Sequence, residues 1–463
     1  MPSSTLGLFF AFCVPSLLGF ALLHALERLF PARARTILPF IPAVALGTLI
    51  GWLCVTFSMR VQHKLGFPAT GLYTFAFPLV FASVLFLFSR RRSRVIPLKQ
   101  LEGSMERINW LPFWVIVAML ALPLLFEVGL QPLPGWDAWE FWAARAKVWF
   151  FTGDLSDNRL QRNEEYPPAI SLMMLWIARG ADAWRDDLFG YVSLIHYLSA
   201  AAIMYWALAT RFGIHSACVG VLFALGAPML AVHSTVGGYA DLPLACVLAA
   251  GSSLLLALNS TGKFADYALP IVLALCLPFY KIPGIFWMAI LFIGIGIHDC
   301  FNAIVDRPKA RVWRIALVVG LALGAVAVLG FESSSSQPAS VFQIGNYTLR
   351  FALNDGALFV FTELFIAGSF LVLWFAVAQT YFGQSGRREL ESSAAILSLS
   401  VVVVLGLVFV LSAVFLTNTL DWWQDGSTLN RALIHVAPTA ILLVVVYGFS
   451  RNSINDQLKS SIN

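Results

Sequence analysis

The sequence predicts an all-α, polytopic membrane protein of about thirteen transmembrane helices, with membrane-parallel helices in one large extracytoplasmic loop. Hydrophobic residues make up 59% of the 463 positions, charged residues only 12%, and the mean hydropathy is +0.79. A soluble domain has about 25% charged residues, so a soluble core of this size is excluded. Apolar runs near the roughly 20 residues that a helix needs to cross hydrocarbon recur along the whole chain. The basic residues, finally, gather on alternate connections between those runs.

Thirteen segments fit as spans: 5–26, 38–58, 69–89, 109–130, 188–209, 214–235, 239–258, 266–280, 284–299, 315–332, 357–378, 394–416 and 433–450. The first has no basic residue before it and Arg28 just after it, and it lacks a small-residue cleavage site, so it reads as a retained anchor. The eighth and ninth are short and interrupted by Pro278 and Pro283, a pattern that also suits partly re-entrant segments. One set of connections holds 19 of the 30 basic residues, including Arg28, Arg90, Arg91, Arg92, Arg94, Arg211, Lys263, Arg311, Arg387 and Arg451. That side is cytoplasmic by the positive-inside rule. The amino terminus and the 131–186 loop then face outward and the carboxyl terminus inward, across the cell (inner) membrane.

The organisation is a three-span segment with a basic cytoplasmic linker (1–108), a membrane module (109–450) and a cytoplasmic tail (451–463). The six cysteines lie in or at the ends of apolar segments with no CxxC spacing, which reads as buried free thiols rather than disulfides or a zinc site.

The loop 131–186 is polar and rich in aromatic residues. Within it, 137–151 reads as a helix, with Trp139, Trp142, Ala146 and Trp149 or Phe150 recurring at helical spacing and Arg145 and Lys147 off that stripe. Aromatic rings flanked by cations suit a helix lying in the headgroup layer. Residues 169–179, after Pro167-Pro168, read as a second short amphipathic segment.

The candidate chemical groups sit on the outward side. Asp137 stands at the outer end of the fourth span. It has two compatible readings: a functional carboxylate, or the cap of an Asp137-x-x-Glu140 capping box. Glu164 and Glu165 supply further acid, either as a solvated face or at a site. Asp241 opens the seventh span after Gly237-Gly238-Tyr239-Ala240, where a carboxylate at the mouth of an apolar helix is costly unless paired, wetted or used as a cap. Lys281 and Arg431 are outward cations that run against the positive-inside bias, so each requires compensation. Arginine suits phosphate through its planar fork, and lysine acts as a point charge. His435, one turn beyond Arg431, reads as a packed or hydrogen-bonding histidine. No P-loop, dinucleotide fingerprint, nucleophile elbow or HExxH motif occurs, and nothing points to nucleic acid.

In their order these elements resemble the GT-C superfamily of polytopic glycosyltransferases, nearest to bacterial relatives of the protein mannosyltransferases and the lipid A aminoarabinose transferase. Gly135-Trp136-Asp137-Ala138-Trp139-Glu140-Phe141-Trp142, with Ala146-Lys147 and Gly153-Asp154, is similar to the acidic first loop of that family's catalytic module. Glu165-Tyr166-Pro167-Pro168 is similar to its Y-P-P stretch, and Tyr239-Ala240-Asp241-Leu242-Pro243 to its YAD-x-P helix start. Tyr280-Lys281-Ile282-Pro283-Gly284 is similar to a K-N-E-G element, with Ile282-Pro283 in place of the Asn-Glu pair. Thr428-Leu429-Asn430-Arg431 through Pro438 is similar to the carboxyl-terminal T…R…P stretch. The likeness covers roughly 130–440, and the three preceding spans are extra.

The resemblance implies inverting transfer of a sugar from a polyprenyl-phosphate donor to an envelope glycan, lipid or protein acceptor. It implies Asp137 as general base, with Glu140, Lys147, Glu165, Tyr166, Tyr239, Asp241, Lys281 and Arg431 binding substrate. No cofactor is required, although Asp241 and Glu165 are suited to a divalent cation. The competing class is a multi-spanning transporter or lipid-linked-glycan flippase. It explains the short interrupted helices equally well, but not the long aromatic loop.

Overall fold

The computed structural model describes residues 2–29, 39–68, 70–90, 108–130, 132–133, 135–157, 159–160, 166–258, 264–306, 341–344, 347–350, 390–416 and 427–462. Helices dominate. The first four are α1 (Pro2–Leu29), α2 (Phe40–Lys64), α3 (Gly71–Arg90) and α4 (Leu111–Leu130). The large loop contributes α5 (Ala144–Thr152) and α6 (Ala169–Ala181). Next come α7 (Gly190–Phe212), α8 (Ile214–Gly226), α9 (Pro228–Thr235), α10 (Asp241–Ala257), α11 (Ala268–Cys276) and α12 (Gly284–Asp306). The last are α13 (Leu390–Leu416), α14 (Ser427–Ile434) and α15 (Ala437–Ile462). Among the described residues the only strands are an antiparallel hairpin of β1 (Val341–Ile344) and β2 (Tyr347–Arg350).

Eleven of the thirteen predicted spans coincide with helical segments; the tenth and eleventh, 315–332 and 357–378, lie outside the described residues. Among the described residues, five helices are long and apolar enough to cross a membrane, six when α8 and α9 are taken as one span bent by 59°. The bend has a local cause. Pro228 lacks the N–H that would continue the helix, and its ring keeps Ala227 extended at ψ 114°.

Alpha-10 is the axis of the packing: all 17 of its residues are buried, as expected of a helix that is apolar all round. Helix α4 is the opposite case. Leu111, Trp114, Met119, Leu122, Phe126 and Leu130 on it are exposed, an apolar surface far larger than a water-facing helix carries and suited to hydrocarbon.

Helices α1 and α2 touch backbone to backbone. A β-carbon built on Gly19 would lie 1.7 Å from the Gly47 carbonyl oxygen, and one on Gly51 would lie 1.7 Å from that of Pro15. Ser16 and Thr48 hydroxyls hydrogen-bond at 2.8 Å across the same seam. Small residues of this kind let membrane helices gain close van der Waals contact. Gly19→Ala should therefore force the helices apart and destabilise the protein by about 3 kcal/mol, the upper end of the usual overpacking cost. Unfolding in detergent against the wild-type chain reads the shift; an unchanged midpoint would contradict the seam.

The loop helices depart from expectation in direction. The stripe Trp142, Ala146 and Trp149 is buried rather than lipid-facing. Its partner is α6, where the Ser171 hydroxyl donates to the Trp142 carbonyl at 2.8 Å and Arg179 donates to the Phe150 carbonyl at 2.7 Å. Arg145, predicted off the stripe, is buried as well and donates to the Tyr166 carbonyl at 3.0 Å. Nor is α6 amphipathic in use: every residue but Arg179 is buried, and the Trp176 indole donates to the Ala11 carbonyl at 2.7 Å. The loop is thereby fastened to α1 as part of the core.

Candidate active site

Asp137 ends the chain's exit from α4 and stands at the start of a π-helical turn, Ala138–Ala143. Such wide turns often occur at functional sites. The turn is kept close to the next element by Gly135, where a β-carbon would meet the Tyr239 hydroxyl at 2.0 Å. Asp137 has helical backbone angles (φ −59°, ψ −37°) and makes no capping hydrogen bond. The capping-box reading of Asp137 and Glu140 is thus not realised, because the Asp137 carboxylate is engaged elsewhere: it accepts from the Arg431 guanidinium.

Arg431 lies on α14, 294 residues further along. Its other edge reaches Asp241, with Nε 3.3 Å from Oδ2. Its guanidinium carbon sits 4.7 Å from the centre of the Tyr239 ring, a cation–π contact that orients the fork. Asp241, the first residue of α10, is 1% exposed and does not cap its helix, the cap position being Ala240. Its Oδ1 accepts from Lys281 Nζ at 2.7 Å and from His435 Nε2 at 2.9 Å. The His435 ring packs edge-on against Trp287, 5.6 Å between centres.

Lys281 is carried by the short break between α11 and α12. A 3-10 turn at Leu277–Phe279 holds Pro278, and the Gly284 amide closes the break by donating to the Lys281 carbonyl at 2.8 Å. Pro278 and Pro283 therefore free the backbone that turns Lys281 toward α10.

Four stretches remote in sequence thus bring together two carboxylates, two cations and a histidine in an otherwise apolar bundle. The four charges cancel: Asp137 and Asp241 against Lys281 and Arg431. Burial weighs against the Arg431 guanidinium, but Asp241 and Asp137 more than offset it and hold its pKa above the usual value. Burial pulls Lys281 below the usual ammonium value; Asp241 opposes this and Arg431 reinforces it.

Asp137, Tyr239, Asp241, Lys281 and Arg431, all singled out from sequence, converge here. Others do not. Lys147 lies between two indoles, 5.5 Å from the centre of Trp139 and 5.7 Å from that of Trp184. Glu140 is held in the π turn with one buried carboxylate oxygen. Tyr166 stacks on Phe141 at 6.1 Å and edges Trp142. Glu164 and Glu165 lie outside the described residues. Among the described residues, no group of three or more His, Cys, Asp or Glu side chains is placed to hold a metal ion. His435 enters the cluster as a hydrogen-bonding histidine; His233, whose ring edges Tyr239 at 6.4 Å, carries no motif that singles it out.

No protein-family model, curated protein or solved structure matches this chain.

Proposed function

We propose that the protein transfers a sugar from a polyprenyl-phosphate donor to an extracytoplasmic acceptor, with inversion, at the Asp137–Arg431–Asp241–Lys281 cluster. The observation that carries the reading is that cluster itself: a charge-balanced set of opposed acids and cations, shared through one arginine, among apolar helices. The ordered likeness to GT-C glycosyltransferases supports it.

The chemistry follows from the pairing. A polyprenyl-phosphate sugar is a phosphodiester with one negative charge. Its phosphate competes with Asp137 for the Arg431 fork, which suits phosphate in a bidentate manner. Displaced from Arg431, Asp137 is freed as general base for the acceptor hydroxyl. The acceptor oxygen attacks the anomeric carbon and the carbon–oxygen bond to phosphate breaks. The electron pair stays on the leaving phosphate, and the proton goes to Asp137. The extra negative charge on polyprenyl phosphate is then met by Lys281 and Arg431, a stabilisation of roughly 3 kcal/mol for each well-placed donor. Asp241 holds both cations in place. The acceptor is an envelope glycan, a lipid or a protein. The inner-membrane location and outward-facing site belong to the same proposal.

The bent α8–α9 pair and the buried ion cluster also suit a transporter, in which discontinuous helices line a substrate site. Reconstitution in vesicles separates the two. Given labelled polyprenyl-phosphate sugars and membrane extract, a transferase releases polyprenyl phosphate and labels the acceptor. A transporter moves intact label across the bilayer and releases none, and that result would retire the proposal.

A further inference from the structure

We infer that Tyr280 and His196 form a buried positioning relay that sets Lys281 against Asp241, so that α7 and α2 help to build the site's cation. This rests on the transferase reading for its consequence in turnover, but not for its structural content.

His196 on α7 is wholly buried. Its Nδ1 lies 2.7 Å from the Val192 carbonyl, and a carbonyl oxygen only accepts, so Nδ1 carries the proton. In the neutral ring Nε2 is then an acceptor, and it receives the Tyr280 hydroxyl at 2.9 Å. The rings meet at 90° with centres 5.8 Å apart, and Trp52 of α2 backs His196 at 6.5 Å. Tyr280 is itself fully buried. It is the residue before Lys281, and its amide closes the 3-10 turn onto the Leu277 carbonyl at 3.2 Å.

The relay gives the break between α11 and α12 something that its local turns lack. Those turns fix the backbone relative to α11 and α12 only. Lys281, however, must meet Asp241 on α10, and the Tyr280 hydroxyl is the tie that refers the break to α7. Deleting the hydroxyl leaves Nε2 of His196 buried without a donor, a loss that a buried polar atom strongly resists. The break then loses its hydrogen bond to α7, and a displacement of an ångström at a charged group is enough to lower turnover sharply. Of the three amino-terminal spans that the family likeness leaves out, α2 takes part in this support through Trp52.

Four full-length variants in detergent test the relay: Tyr280→Phe, His196→Leu, His196→Gln and Tyr280→Phe combined with Lys281→Ala. Tyr280→Phe and His196→Leu should each cut kcat on the order of tenfold, with little change in KM. Glutamine retains an acceptor near the Nε2 position, so His196→Gln should recover most of the loss. In the Lys281→Ala background, Tyr280→Phe should have no further effect on kcat, the non-additivity expected of residues acting through one group. Hydrogen exchange adds a readout free of any substrate: the Tyr280 and Gly284 amides should exchange faster in Tyr280→Phe and His196→Leu than in the wild type. Unchanged exchange at those amides, or additive losses with Lys281→Ala, would overturn the relay. A wild-type chain without turnover would instead overturn the transferase reading, and the exchange result would still judge the relay.

Discussion

Asp241→Asn is expected to destabilise the folded protein by about 3–5 kcal/mol, the cost typical of removing one partner from a buried ion pair. The reason is the burial of all parties: the side chains of Asp241, Lys281 and Arg431 are 1%, 14% and 20% exposed. The carboxylate holds both cations and accepts from His435, so an amide there leaves two positive groups facing one another, with Asp137 alone to answer them. Denaturation in a mild detergent reads the change. Asp241→Leu combined with Lys281→Met should recover part of the loss, since it removes a stranded cation as well as the acid. If the double variant is no more stable than the single, Asp241 is not the keystone of the cluster.

Asp137→Asn is expected to behave differently, lowering turnover by about 10²–10⁴-fold, the span typical of a lost general base. Its effect on stability should stay within about 1 kcal/mol, because the Asp137 side chain is 26% exposed against 1% for Asp241, and a partly exposed carboxylate contributes little to its pair. Arg431 also keeps its second acid and its place on Tyr239. The two aspartates should therefore separate: one acts mainly through the fold, the other through the reaction. A full-activity Asp137→Asn protein would remove the general base from the proposed mechanism.

The parts of this site that were legible in sequence share one physical trait: charge where hydrocarbon makes charge costly. Lys281 and Arg431 stand out because they would oppose the positive-inside bias in the orientation that the basic residues suggest, and Asp241 because it opens an apolar helix. Their compensation was predictable, but their partners were not, since the pairs join residues 40, 190 and 294 positions apart. Of the two readings of Asp137-x-x-Glu140 the cap is not realised, since the Asp137 carboxylate is taken by a distant guanidinium. Local pattern misled at Trp142, Ala146 and Trp149. Periodicity shows that a helix has an apolar face but is silent on whether lipid or α6 covers it. Lys147 belongs to the motif likeness, and it lies between the Trp139 and Trp184 rings rather than at the ion cluster. The His196–Tyr280 tie left no trace in the sequence, because a buried histidine within an apolar helix looks the same whether it supports a site or only a core. The helical, apolar character of the chain is the easiest part to read, since length and hydropathy decide it almost alone; among the described residues five or six helices are long and apolar enough to cross a membrane.

The measurement that bears most directly on the central claim is polyprenyl phosphate released per protein molecule. It would use purified wild-type protein and Asp137→Asn, each incubated with a panel of labelled polyprenyl-phosphate sugars and a membrane-extract acceptor. The account predicts release with one donor, matched by label in the acceptor, and its loss in a variant that unfolds at nearly the wild-type midpoint. Release that is equal in both proteins, or absent with every donor while intact donor crosses the bilayer, would contradict it.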